Sequence, residues 1–195
     1  MIPIKVLVPS GVLGLGFDLE ALNNGVKNNP DIISIDGGST DSGPYSLGSG
    51  TSKYSRAAIK AEWKSLMIAR KKANVPLVIG SCGTCGTNGM VDWMENITIE
   101  LAEELNQNIK IAKLYCQQEK NFIKKKFQLS KIFPLNPAPM LNDQLIDEMT
   151  NIVALAGAEQ IQECIKTGAE IILAGRTTDT AIISALPLMK GANPG

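Results

Sequence analysis

Short apolar runs alternate with longer stretches of helical periodicity along this chain, and that alternation constrains the fold more than any other feature. "IKVLVP", "DIISID", "PLVIGS", "KIAKLY", "NIVALAG" and "EIILAG" read as six strands. They are followed in turn by helical patterns over residues 18–27, 53–73, 92–106, 118–129, 159–166 and 178–189. Strand–helix alternation implies βαβ units and a largely parallel sheet. The strands are apolar throughout rather than every second residue, as expected where both faces are covered. The expected fold is therefore α/β: a largely parallel sheet with helices on both faces, in a Rossmann-like layered architecture.

Local signals support this reading. Ile59, Trp63, Leu66 and Met67 share one face by their i, i+3, i+4 spacing, and Lys60, Lys64 and Lys71 fall off that stripe. Asp92 followed by Glu95 resembles a capping box that would start the next helix, with Trp93, Ile97, Leu101 and Leu105 as its buried face. Gly168 stands where a C′ glycine ends a helix. The proline-rich stretch "PLNPAP", 134–139, reads as a crossing between two sheet strands. At 195 residues, the chain is expected to form a single α/β domain over 1–195. It stops on the turn signal "PLMKGANPG", which suggests the N-terminal part of a longer polypeptide.

Charge and residue usage narrow the function. Lys plus Arg equals Asp plus Glu at 19 each, which argues against a partner bound through bulk electrostatics such as nucleic acid. Histidine is absent, so acid–base chemistry falls to Asp, Glu, Lys, Tyr or Cys. No apolar run approaches the ~20 residues that span a bilayer, so no membrane partner is expected. Reduced thiols in a cytoplasmic setting are the default for the four cysteines.

Candidate chemistry gathers where strands end. "IISID" runs into "GGSTDSGPYSLGSGTSKYSR", "LVIGS" into "CGTCGTNG", "IILAG" into "RTTDT", and the first strand into "PSGVLGLGFD". Ligands of open parallel sheets sit at the carboxyl ends of the strands. Glycines there allow close approach, and loop amides with the helix N-termini that follow favour anions. "GVLGLGFD" has the wrong glycine order for a dinucleotide fingerprint, although Asp36 stands where a ribose-binding acid would. Cys82 and Cys85 have C-x-x-C spacing, but Cys116 and Cys164 do not complete a metal set. Small residues filling a glycine-rich loop explain the pair, and Cys164 fits a buried stripe with Ile161 and Ile165. "KKK", 124–126, reads as a solvated helix face.

Together, "VLVPSGVLGLGFD", "DIISIDGGSTDSGPYSLGSGTSKYSRAAIK", "PLVIGSCGTCGTNGMVDW" and "EIILAGRTTDTAI" resemble the N-terminal part of the acyclic terpene utilisation AtuA-like family. The resemblance implies a catabolic setting and an association with acyl-CoA or small-carboxylate breakdown. The matching positions run from Asp36 to Ser42, from Lys53 to Arg56, over Gly80, Ser81, Gly83, Thr84 and Gly86, and over Gly175, Arg176, Thr178 and Asp179. Cys82 and Cys85 stand where small residues such as alanine or serine are expected in the family.

Residue type then assigns roles. Asp36, Asp41 and Asp179 are candidate general bases, with Lys53 or Tyr45 as proton donor. Arg176 and Arg56 suit a carboxylate or phosphate because a guanidinium binds such groups bidentately. Gly37, Gly38, Ser39, Thr40, Ser42, Ser55, Ser81, Gly83, Thr84 and Thr178 complete the candidate ligand-binding set. No cofactor is required by the sequence, although magnesium shared by two of the aspartates suits the residue types. The expected function is a catabolic enzyme of lyase, hydratase or isomerase type acting on a small carboxylate or acyl-CoA. The alternatives are a non-catalytic nucleotide- or CoA-binding or scaffold subunit of a larger complex, and a dithiol oxidoreductase needing an acidic Cys82 thiol; a homo-oligomer or a partner subunit is compatible with each.

Overall fold

The computed structural model describes residues 3–39, 43–138 and 140–193. Among them, β1 (Val6–Leu7) leads to α1 (Leu19–Lys27), and β2 (Ile32–Asp36) to α2 (Tyr45–Ser49) and α3 (Arg56–Ala73). β3 (Leu77–Gly80) is followed by α4 (Asn88–Glu104), and β4 (Ile111–Leu114) by α5 (Lys120–Gln128), α6 (Asp143–Glu148) and α7 (Ala158–Lys166). β5 (Ile171–Ala174) and α8 (Ala181–Met189) follow. The five strands form one sheet in the order β1-β2-β3-β5-β4, and every pairing is parallel. The α/β reading with a parallel sheet is therefore what the chain forms.

The strand pleat divides the core in two. Ile33, Ile35, Leu77, Ile79, Ile171 and Leu173 pack with α1, α3 and α4. Their neighbours Ile32, Val78, Ile172 and Ala174 pack with α7 and α8. Successive side chains point to opposite faces, so continuous apolar runs supply both cores. Trp63, fully buried in α3, donates its indole N–H to Thr98 Oγ1 of α4 at 2.9 Å.

Helix ends follow local chemistry. Asp18 caps α1 by accepting from the amides of Glu20 and Ala21, which satisfies donors that have no partner within the helix. Ser55 caps α3 through the Ala58 amide. Gly168, at φ +72°, follows α7 in the left-handed conformation of a C′ residue.

Three expectations need correction. "NIVALAG" is not a strand. Ala154 donates to the Cys116 carbonyl and Ala156 to the Arg176 carbonyl, so the segment divides its bonds between the exits of β4 and β5 and straps that edge. Residues 92 and 95 do not start a helix: α4 begins at Asn88, and Asp92 and Glu95 both meet Lys113. The glycine- and serine-rich stretch after β2 is not all loop, because Tyr45–Ser49 forms α2. Its carbonyls at Leu47 and Gly48 accept from the side chains of Asn151 and Thr150. Residues 134–138 of the proline-rich stretch lie exposed within the long crossover between β4 and β5. No helix among the described residues is long and apolar enough to cross a membrane.

Candidate functional site

The packing of the helices decides where a ligand could sit. β3 feeds α4 on one face, while its neighbour β5 feeds α8 on the other. The loops leaving these strands stay hydrogen-bonded, Ser81 donating to the Gly175 carbonyl and Arg176 to the Gly86 carbonyl, so the open space at the strand carboxyl ends falls beside them, towards the exits of β1 and β2. A cleft of about 480 Å³ lies there, lined by Gly11, Val12, Asp36, Gly38, Ser39, Lys53, Tyr54, Thr84 and Asp179. Four strand exits and the start of α3 contribute to it.

Asp36 is its floor. As the last residue of β2, it follows the pleat onto the α8 face, two positions after Ser34, whose hydroxyl bonds the Ile182 carbonyl of α8. The residue is 7% exposed. Its Oδ2 accepts from the Gly38 amide at 3.1 Å, and its Oδ1 is buried without a hydrogen-bond partner among the described residues. Burial, followed by the charge of Asp179, pushes its pKa up from 3.8 to about 6. The Gly38 amide and the Arg176 guanidinium pull the other way. A carboxyl poised there can take up or release a proton close to neutral pH.

The loop after β3 presses against this floor. Residues 81–87 are buried, and Ser81, Gly83, Thr84 and Gly86 all have left-handed backbone with φ between +46° and +69°. For the β-branched Thr84 that conformation is strained. It is held because Thr84 Oγ1 accepts from the Lys53 amide and its carbonyl accepts from Arg176. A Cβ at Gly37 would lie 2.4 Å from the Ser81 carbonyl oxygen, so glycine is required where the two loops meet.

Lys53 precedes α3 at the cleft wall and makes no ion pair among the described residues, whereas Lys60, Lys64, Lys113, Lys124 and Lys166 all do. Asp179, ahead of α8, is exposed and lines the same cleft. The cleft thus brings together a protonatable carboxyl, a second carboxylate, an ammonium and the hydroxyl-bearing Ser39 and Thr84.

Other predicted residues have different places. Arg176, 9% exposed, directs Nη1 to the carbonyls of Gly38 and Thr84 and to Ser81 Oγ, tying three loops together. Ser81 also bonds the Thr177 backbone. Gly83 packs against Met90, and the Thr178 hydroxyl accepts from the Ala181 amide at the start of α8. Ser55 is spent as the α3 cap. Arg56 pairs with Glu100 of α4 at 2.6 Å, and Tyr45 is 78% exposed at the start of α2. Thr40, Asp41 and Ser42 lie outside the described residues.

Sequence reasoning missed Glu62. From the middle of α3, its carboxylate accepts from the Gly14 and Gly16 amides at 2.7 Å each. The first glycine-rich loop therefore already holds an anion, supplied by the protein. Helical periodicity alone gives no sign of this. Tyr54, packed against Gly14, closes the same corner. Cys82 and Cys85 are buried and unbridged, and burial drives the Cys82 thiol far up, the reverse of a reactive dithiol.

A family model described as acyclic terpene utilisation family protein AtuA matches residues 45–190. The match covers Lys53, Tyr54, Thr84, Arg176 and Asp179 and begins after Asp36. No curated protein and no solved structure matches the chain.

Proposed function

We propose, from the premise that this chain belongs to the acyclic terpene utilisation family AtuA, that its cleft binds a small carboxylate or acyl-CoA and moves a proton next to the carbonyl. Membership carries a role in acyclic terpene utilisation, a catabolic process. Lyase, hydratase and isomerase steps on such substrates share the removal or delivery of a proton at the carbon beside a carbonyl. The observation that carries this reading is Asp36, a buried carboxyl at a strand end with one unpartnered oxygen and a pKa near 6.

In this reading the ionised Asp36 accepts the proton from the substrate carbon. The electron pair left behind delocalises into the carbonyl, and the same carboxyl returns the proton at another position or to a leaving group. Lys53 holds the anionic group of the substrate. Arg176 acts through the loops it joins: it fixes the Gly38 and Thr84 backbones that shape the cleft. The first glycine-rich loop is not a phosphate cradle at Gly14 and Gly16, because Glu62 occupies those amides.

A thermal-shift panel of dicarboxylates, acyl-CoAs and nucleotides tests the binding half of the proposal. A ligand at 100 times its Kd adds about 2.7 kcal/mol. The expected result is a shift with a carboxylate or acyl-CoA that Lys53→Met removes. A shift with nucleotides alone would instead support a non-catalytic nucleotide-binding subunit.

A further inference from the structure

The loop between β1 and α1 meets the cleft with its first half and α3 with its second. Gly11 and Val12 line the cleft together with Asp36. Leu13, fully buried, donates its amide to the Asp36 backbone carbonyl at 2.8 Å. The next two bonds go to α3: the Gly14 amide donates to Glu62 Oε2 and the Gly16 amide to Glu62 Oε1, each at 2.7 Å. Gly14 also abuts Tyr54, where a Cβ on the glycine would stand 2.6 Å from the Tyr54 Cβ and Cγ. Lys53 and Tyr54, which line the cleft as well, run directly into α3, the helix that carries Glu62.

A carboxylate that accepts from two amides makes charge-assisted bonds of fixed direction. Gly14 and Gly16 have φ of +108° and +86°, backbone that glycine enters and leaves freely, so the loop needs an outside group to hold it in one shape. We propose that Glu62 is a positioning residue of the cleft: by clamping the loop to α3 it fixes the Gly11–Val12 stretch relative to Lys53 and Tyr54 and keeps water from the Asp36 carboxyl. The inference deepens the proposed function and rests on its reading of Asp36 as the group that carries the proton. Burial is the largest cause of the raised Asp36 pKa, so a loosened loop that admits water makes Asp36 a weaker base.

The test needs no substrate. Glu62→Gln and Glu62→Asp are compared with wild type. The Asp36 carboxyl is titrated by carbon-13 NMR, and exchange of the Leu13 amide is followed in deuterium oxide. Glutamine turns an NH2 towards one of the two amides, and aspartate keeps the charge but is one methylene too short to hold both. The expected result, in both variants and with the fold retained by circular dichroism, is a midpoint that falls from about 6 towards 3.8. Leu13 exchange should quicken by about tenfold or more. The charges acting on Asp36 from Arg176 and Asp179, and Lys53 of the cleft, are the same in Glu62→Asp, so a fall there reports entry of water. A midpoint unchanged in both variants, or lowered in Glu62→Gln alone as a plain effect of charge, overturns the proposal. Gly14→Ala pushes the loop off Tyr54 and leaves Glu62 in place; it should lower the midpoint too, and it decides the matter if neither Glu62 variant folds. An unchanged midpoint with the Lys53-dependent ligand shift intact removes the clamp and leaves the proposed function standing.

Discussion

Asp36→Asn turns the buried carboxyl into a measurement. In the folded protein Asp36 titrates at about 6, against 3.8 for an exposed aspartate. Between those values the folded state holds a proton that the unfolded state has released, so stability falls as pH rises through the window and levels off above about 6. At roughly 1.4 kcal/mol per pH unit, the full cost of ionising Asp36 is about 3 kcal/mol. Asparagine carries no charge and keeps an acceptor for the Gly38 amide. Its buried side-chain amide costs about 1–3 kcal/mol where it finds no acceptor, and that cost does not vary with pH.

The signature is therefore a slope. The stability difference, variant minus wild type, should grow by about 2.4 kcal/mol between pH 4 and pH 7.5. For a chain of this size that is a relative gain of about 5–10 °C in Tm. Urea denaturation or calorimetry at four or five pH values would read it, with the other carboxylates cancelling between the two proteins. A difference that stays constant with pH, or that shrinks as pH rises, would refute the assignment of Asp36 as a carboxyl destabilised by burial.

Three further outcomes follow from the packing. Gly37→Ala places a Cβ against the Ser81 carbonyl and should cost about 1–3 kcal/mol in urea denaturation. Wild-type stability there would mean that the loops after β2 and β3 are not in contact. Arg176→Met strips partners from the buried Gly38 and Thr84 carbonyls and should cost about 2–3 kcal/mol. A variant as stable as wild type would mean that this arginine does not join the loops. Cys82 and Cys85, buried and with no bridge, should resist a thiol reagent in the native protein and react only on unfolding. Rapid native labelling would reopen the dithiol reading.

Much of the fold was legible because burial on both faces leaves a plain mark in strands such as "IISID" and "IILA". "NIVALAG" carries the same mark and misleads, since its apolar residues strap the sheet edge and Leu155 is exposed. Composition does not distinguish a strap from a strand, because both satisfy their backbone groups by extended pairing. Asp92 and Glu95 fit a capping pattern, but their charges answer Lys113 of β4 across the chain. At the candidate site, strand-end position marked Asp36, Thr84 and Asp179, which line one cleft together with Lys53 ahead of α3. Charge alone was a poor guide to direction, since Arg56 turns to Glu100 and Arg176 to backbone carbonyls. The role of Glu62 depends on how α3 docks beside the first loop, which is not a local property of sequence.

Proton exchange in deuterium oxide tests the central claim most directly. A saturated acyl-CoA or dicarboxylate identified by the ligand panel is incubated with the protein, and deuterium wash-in beside the carbonyl is followed by NMR. The account predicts wash-in that rises with pH as Asp36 ionises near 6 and falls by at least about 10²-fold in Asp36→Asn, while the variant remains folded. Tight binding with no wash-in at any pH, or wash-in unchanged in Asp36→Asn, would contradict it.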